Sequence, residues 1–158
     1  MPGLMLVFSL GAFLAQAPGG NATGNPCRVI TAADVAGILL TPATSRPGPT
    51  SGTCMYQTAT RANVTIGVAQ GNEAKGAWMF ATTYSGTEKA ISGIGDQALF
   101  RVDGTTLIAR RGDRSCRVDV VGYDNSEAMN SITKDRGPAL ARKLGALCTK
   151  LFAGDGRK

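Results

Sequence analysis

Apolar residues recur along this chain in two rhythms, and the changes of rhythm mark its elements. Val35, Ile38 and Leu39 stand at helical spacing after Thr31, with Asp34 placed as its capping-box partner. That pattern predicts a short helix over 32–40. The stretch 41–52 is rich in Pro, Gly, Ser and Thr and predicts a surface loop. Period two then takes over. A strand is expected over 54–59, and a second over 62–70, where Val64, Ile66 and Val68 alternate. Ala74, Ala77, Trp78, Ala81 and Tyr84 return to helical spacing, and such a stripe is the buried face of a helix rather than an aromatic ligand patch.

The segment 97–122 carries the strongest pattern. Strands over 97–102 and 105–111 flank Asp103-Gly104, a two-residue hairpin signal because both turn positions favour positive φ. Gly112-Asp113 reverses the chain again into a strand over 115–122. Two such turns fix the register. Ala98, Phe100, Val102, Leu107, Ala109, Cys116, Val118 and Val120 then share the core face. The opposite face carries three cross-strand rows: Arg101–Thr106–Asp119, Leu99–Ile108–Arg117 and Gln97–Arg110–Ser115. Beyond it, a helix is expected from Asp124 or Asn125 to about 135, broken at Gly137-Pro138. A second helix starts at Pro138, with Leu140, Leu144, Leu147, Cys148 and Leu151 on one face and Arg142, Lys143 and Lys150 off it. A loose tail is expected over 154–158.

The 158 residues are 43% hydrophobic and 18% charged, enough for one domain, expected over 27–153. Ahead of it, 18–26 reads as a flexible linker and 1–17 as an apolar leader. Leu4 to Leu14 is an apolar run too short to span a bilayer stably, and it leads into Ala15-Gln16-Ala17, a signal-peptidase pattern. No Lys or Arg precedes the run, and Pro18 follows the cut site, where proline impedes cleavage. Either the true start lies upstream or the leader stays as an anchor. No lipobox cysteine follows it. The expected location is outside the cytoplasm.

Cys27, Cys54, Cys116 and Cys148 agree with that location. An even number in an exported chain reads as two disulfides, with three connectivities open. Metal binding fails on spacing, since no two cysteines lie within twenty residues and the chain has no histidine. No metal or other cofactor is expected.

The missing histidine also removes histidine bases and Ser–His or Cys–His nucleophiles. Ser131-Ile132-Thr133-Lys134 spells S-x-x-K, but the companion motifs of that chemistry are absent. No carboxylate pair stands out, so no catalytic residue is assigned. Gly93-Ile94-Gly95-Asp96 precedes a strand, whereas a phosphate loop opens a helix; it reads as a backbone turn. Arg111-Gly112-Asp113 is read as a hairpin tip. The net charge of +6 fits an anionic partner, yet no basic run or aromatic-interleaved stripe points to nucleic acid. The constellation left is Arg101, Arg110, Arg111, Arg114 and Arg117, with Arg101, Arg110 and Arg117 as candidate binding residues, since guanidinium suits phosphate or carboxylate groups.

Asn25-Pro26-Cys27-Arg28-Val29-Ile30-Thr31 opening into a helix, then Cys54-Met55-Tyr56, Gly93-Ile94-Gly95-Asp96-Gln97-Ala98 and Leu147-Cys148, resembles a family of small exported proteins and lipoproteins of unknown function from mycobacteria and other actinobacteria. The resemblance covers about 27–152. It implies an antiparallel sheet with helices, like PsbP-type α/β/α sandwiches, and pairing of Cys27 with Cys54 and Cys116 with Cys148. The alternative is Cys54 with Cys116 and Cys27 with Cys148. The resemblance brings no catalytic residues.

The expectation is an α+β domain with an about five-stranded, mainly antiparallel sheet packed with helices. Its expected function is a non-enzymatic binding module of the cell envelope, whose partner is an anionic envelope component or another envelope protein. The alternative is a hydrolase acting through carboxylates on a cell-wall or extracellular substrate.

Overall fold

The computed structural model describes residues 24–39, 42–58, 62–83, 88–101, 106–122 and 137–154. The leader 1–17, the linker up to residue 23, the Asp103-Gly104 turn, the expected helix from 124 to 135 with Ser131 and Lys134, and the last four residues of the tail lie outside them.

Asn25 opens the described chain. Its side chain accepts from Cys27 N at 3.0 Å and so caps the single-turn helix α1 (Pro26–Val29), with proline in the first turn. Pro26 is buried, so the folded chain begins a little earlier than the linker boundary suggested. Helix α2 (Ala32–Leu39) carries the expected capping box. Asp34 Oδ2 accepts from Thr31 N at 2.7 Å, and Thr31 Oγ1 accepts from Asp34 N at 3.2 Å.

Seven strands follow, two more than expected: β1 (Ala43–Pro47), β2 (Thr53–Thr58), β3 (Ala62–Gln70), β4 (Glu88–Ala90), β5 (Gln97–Arg101), β6 (Thr106–Arg111) and β7 (Arg114–Gly122). β1 falls inside the stretch read as a loop. It is an exposed edge strand without alternating apolar residues, and pairing with β2 holds it. The edge position is also what tolerates Pro47. β4 is three residues long at the opposite edge.

The sheet order is β1-β2-β3-β7-β6-β5-β4, antiparallel throughout. Two meanders therefore meet at the β3–β7 seam. The chain passes between them through helix α3 (Asn72–Thr83) and then β4. The last helix, α4, is continuous over Gly137–Gly154, so the described helix takes in Gly137 as well as Pro138.

Side chains alternate across the pleat, and one face of the sheet is the main core. Tyr56, Val64, Ile66, Leu107, Phe100, Val118 and Val120 lie there, under Val35 and Ile38 of α2 and Leu140, Leu144, Leu147 and Leu151 of α4. All five residues expected on the inner face of α4 are buried. Tyr56 is fully buried, and its hydroxyl donates to Ile30 O at 3.0 Å. Burial, reinforced by the Asp34 carboxylate, pushes this phenol up to about 12.

Both disulfides fasten this helical layer to the sheet. Cys27 on α1 is bonded to Cys54 on β2, and Cys116 on β7 to Cys148 on α4, with Cα separations of 5.3 and 5.6 Å. This is the pairing the family resemblance implied. It points to an oxidising, extracellular-type environment. Among the described residues no helix is long and apolar enough to cross a membrane.

Candidate functional site: the arginine face of the meander

The register of β5–β7 assembles all three expected rows. Arg101 faces Thr106 and Thr106 faces Asp119; Leu99 faces Ile108 and Ile108 faces Arg117; Gln97 faces Arg110 and Arg110 faces Ser115. Arg101, Arg110 and Arg117 thus share the sheet face turned away from α4. Arg111 and Arg114 do not join them. They pair with each other across the hairpin end, and alternation along β6 and β7 gives them the parity of Ala109 and Cys116, on the core side. Arg114 there lies over the ring of Phe152 from α4, 5.9 Å from its centroid. The five-arginine constellation read from the sequence is therefore two groups, one on each face of the sheet.

Each arginine of the first group has its own setting. Arg117 and Asp119 are two apart on β7 and so on one face. The guanidinium grips the carboxylate twice, Nε to Oδ2 at 2.7 Å and Nη2 to Oδ1 at 2.9 Å. Thr106 Oγ1 donates to Asp119 Oδ1 from the next strand at 2.7 Å. The Asp119 hydrogen bond outweighs burial and raises the Arg117 pKa, so this group is charged at any working pH. About half of the Arg117 side chain still meets solvent (51%). Arg101 and Arg110 are half-buried. Arg110 Nε is buried and makes no hydrogen bond among the described residues.

Helix α3 explains the half-burial. It leaves β3 at Gly71, which holds φ +62° and donates to Asp113 O at 2.8 Å. It then packs on β3, β7 and β6. Cys148 holds α4 on the other face, so α3 covers the arginine side, with Ala74 buried and Ala77, Trp78 and Ala81 half-buried. Ile108 and Ser115 are buried on that side of the sheet. Met79 and Phe80 of α3, which lie off that stripe, are exposed.

Gly93-Ile94-Gly95-Asp96 is the backbone turn expected before β5, and it also locks against α4. Ile94 is buried against Gly145 of α4, where a Cβ would collide with it. Gly95 (φ +58°) lies so close to Arg110 O that only glycine fits. Asp96 N donates to Arg110 O at 2.7 Å, and its carboxylate accepts from Gly112 N at 2.7 Å, clamping the β6–β7 turn. An open depression of about 330 Å³ lies beside it, lined by Gly93, Gly95, Asp96, Arg111, Thr149 and Phe152. At the hairpin tip, Asp113 accepts from Gln70 Nε2 at 3.3 Å.

The four described aspartates are thus each engaged in a structural hydrogen bond: Asp34 in a cap, Asp96 and Asp113 around a turn, Asp119 with Arg117. Among the described residues no cluster of His, Cys, Asp or Glu is disposed to hold a metal ion. No family model, no curated protein and no solved structure matches this chain.

Proposed function

We propose that this chain is an exported protein of the cell envelope that works as a binding module, with the Arg101–Arg110–Arg117 face as its contact surface. One observation carries the reading: three guanidinium groups share one sheet face while the described aspartates serve the fold. A hydrolase that works through carboxylates uses a pair free to exchange protons with a substrate, whereas the four described aspartates hold structural hydrogen bonds. The two disulfides and the resemblance to small exported actinobacterial proteins support the setting. Arg117 is half-exposed; its Nε and Nη2 hold Asp119, so Nη1 is the group through which it would meet a phosphate or carboxylate group of the partner.

Binding of the full chain to detergent-solubilised envelope extract tests the proposal. The comparison is with Arg101→Gln/Arg117→Gln, both proteins being checked for intact disulfides and equal melting temperature. Capture of an envelope component by the unaltered chain, reduced at least tenfold in the variant, is the expected result. Equal capture by both would remove this face as the contact surface.

A further inference from the structure

The outward face of α4 is unusual in its chemistry. From Arg142 onward its exposed positions are Arg142, Lys143, Ala146, Thr149, Lys150 and Ala153. A solvent-facing helix ordinarily mixes both signs of charge, which adds pairs three and four residues apart. This one has no acidic residue anywhere in its eighteen positions. Its neighbours extend the pattern. The helical layer formed by α1, α2 and α4 holds the cations Arg28, Arg142, Lys143 and Lys150 against a single carboxylate, Asp34, which Lys150 already pairs at 2.8 Å. Between its cations the α4 face presents only Ala and Thr, so a flat surface can approach it closely. The helix is about 27 Å long.

A second observation says what would approach. The apolar run Leu4–Leu14 precedes the first described residues by a short stretch of chain. From Ala17 to Gly24 a fully extended chain reaches only about 25 Å. It enters the fold at α1, which packs against α4, with Val29 of α1 in contact with Gly154 at the end of α4. A leader retained in a bilayer, as Pro18 after the cleavage pattern favours, therefore holds the domain within about 25 Å of that bilayer. The chain from it enters the domain on the side of the helical layer. The meander face lies across the sheet from that entry. An apolar segment too short to span is a weak anchor alone, and stable attachment takes a second signal such as a basic surface.

We infer that the Arg142–Lys143–Lys150 face of α4, with Arg28 beside it, is the surface by which this protein lies against an anionic phospholipid membrane. The arginine face and α3 are then turned away from the lipid toward the proposed partner. Each cation near such a surface strengthens partitioning about fivefold, so the three without an ion pair among the described residues give on the order of a hundredfold preference for anionic over neutral lipid. The preference falls with salt, because it acts within a Debye length of about 10 Å.

The setting rests on the export reading, but the test does not. The full chain, disulfides intact, is co-sedimented with vesicles of phosphatidylcholine alone or with about one third phosphatidylglycerol, and the ratio of the two partition coefficients is read. The leader contributes to both arms alike. The ratio should be large for the unaltered chain, fall at least about 25-fold in Arg142→Glu/Lys143→Glu, and stay unchanged in Arg101→Gln/Arg117→Gln. Both altered helix positions are exposed, so the fold tolerates them, and an unchanged near-ultraviolet circular dichroism spectrum verifies this. No lipid preference in the unaltered chain, or a preference that survives the helix variant, would overturn the inference. Failure of the export reading would show differently, as reduced cysteines in protein recovered from the producing cell's cytosol.

Discussion

Lys150 Nζ lies 2.8 Å from Asp34 Oδ2, the oxygen that also takes hydrogen bonds from Thr31 N and Oγ1. One carboxylate thus caps α2 and ties it to the last helix, 116 residues away in sequence. Burial raises the Asp34 pKa, but the hydrogen bonds from Lys150 and Thr31 outweigh it, and the net result is below the ordinary value of 3.8. A depressed carboxyl pKa contributes stability that is present above the unfolded value and lost as pH falls through the folded one. Asp34→Ala should therefore cost about 1–2 kcal/mol at neutral pH, measured by urea unfolding. The gap between the two proteins should begin to narrow as pH falls through 3.8. It should close only below the lowered folded-state value, where the carboxyl is protonated in both states. A gap independent of pH would mean that the cost comes from packing alone.

The two disulfides differ in access. Cys116, Cys148 and Cys54 are fully buried, whereas Cys27 is partly exposed. Exchange requires a thiolate to reach a bonded sulfur, so graded reduction should open Cys27–Cys54 well before Cys116–Cys148. Alkylation and peptide mapping would detect the order. The closed loops span 27 and 32 residues, so loss of either bridge should cost about 3–4 kcal/mol on the chain-entropy account. Simultaneous opening of both at low reductant would indicate that the fold unfolds as a whole before either bridge is attacked.

The glycine lock makes a sharper demand. A methyl at Gly145 would strike Ile94, and one at Gly95 would strike the Arg110 carbonyl from a backbone at positive φ. Gly145→Ala should cost about 1–3 kcal/mol, since Ile94 can shift its side chain. Gly95→Ala should cost more, because a carbonyl in a strand cannot yield and the conformation is itself unfavourable for alanine. Ile94→Ala combined with Gly145→Ala should recover part of the Gly145→Ala loss. Additive losses in thermal unfolding would disprove the contact.

How much of this was legible beforehand follows from the range of the interactions. Strand register over β5–β7 could be read because the turn signals Asp103-Gly104 and Gly112-Asp113 set it locally in the sequence. The inner face of α4 could be read because eighteen residues repeat one period. β1 could not, since Ala43-Thr44-Ser45-Arg46-Pro47 has no apolar alternation and is a strand only through β2. The arginine site was half legible. Rows could be drawn from the register, but the Arg117–Asp119 grip and the cover supplied by α3 depend on side-chain reach and helix placement, which no periodicity encodes. The separation of Arg111 and Arg114 from the others was available from parity alone, and only the sequence proximity of the five obscured it.

Tyr56 offers a test of the core from the alkaline side. Its hydroxyl is the one polar atom of a fully buried side chain, and Ile30 O is its acceptor at 3.0 Å. Tyr56→Phe keeps the ring but leaves that carbonyl without this donor, a cost of about 1–2 kcal/mol at neutral pH. The pH dependence carries the opposite sign to that of Asp34. In the unfolded chain the phenol ionises near its ordinary value of 10.0, while in the fold it holds its proton to about 12. Between those values the unfolded state binds fewer protons than the native state, so stability is full below pH 10 and declines as pH rises through the window. Tyr56→Phe removes the ionisation altogether. The two proteins should therefore converge in stability as pH climbs from about 10 toward 12, as followed by guanidinium unfolding with the other tyrosines common to both. A difference that stays constant through that range would show that the Tyr56 phenol ionises as freely in the fold as outside it.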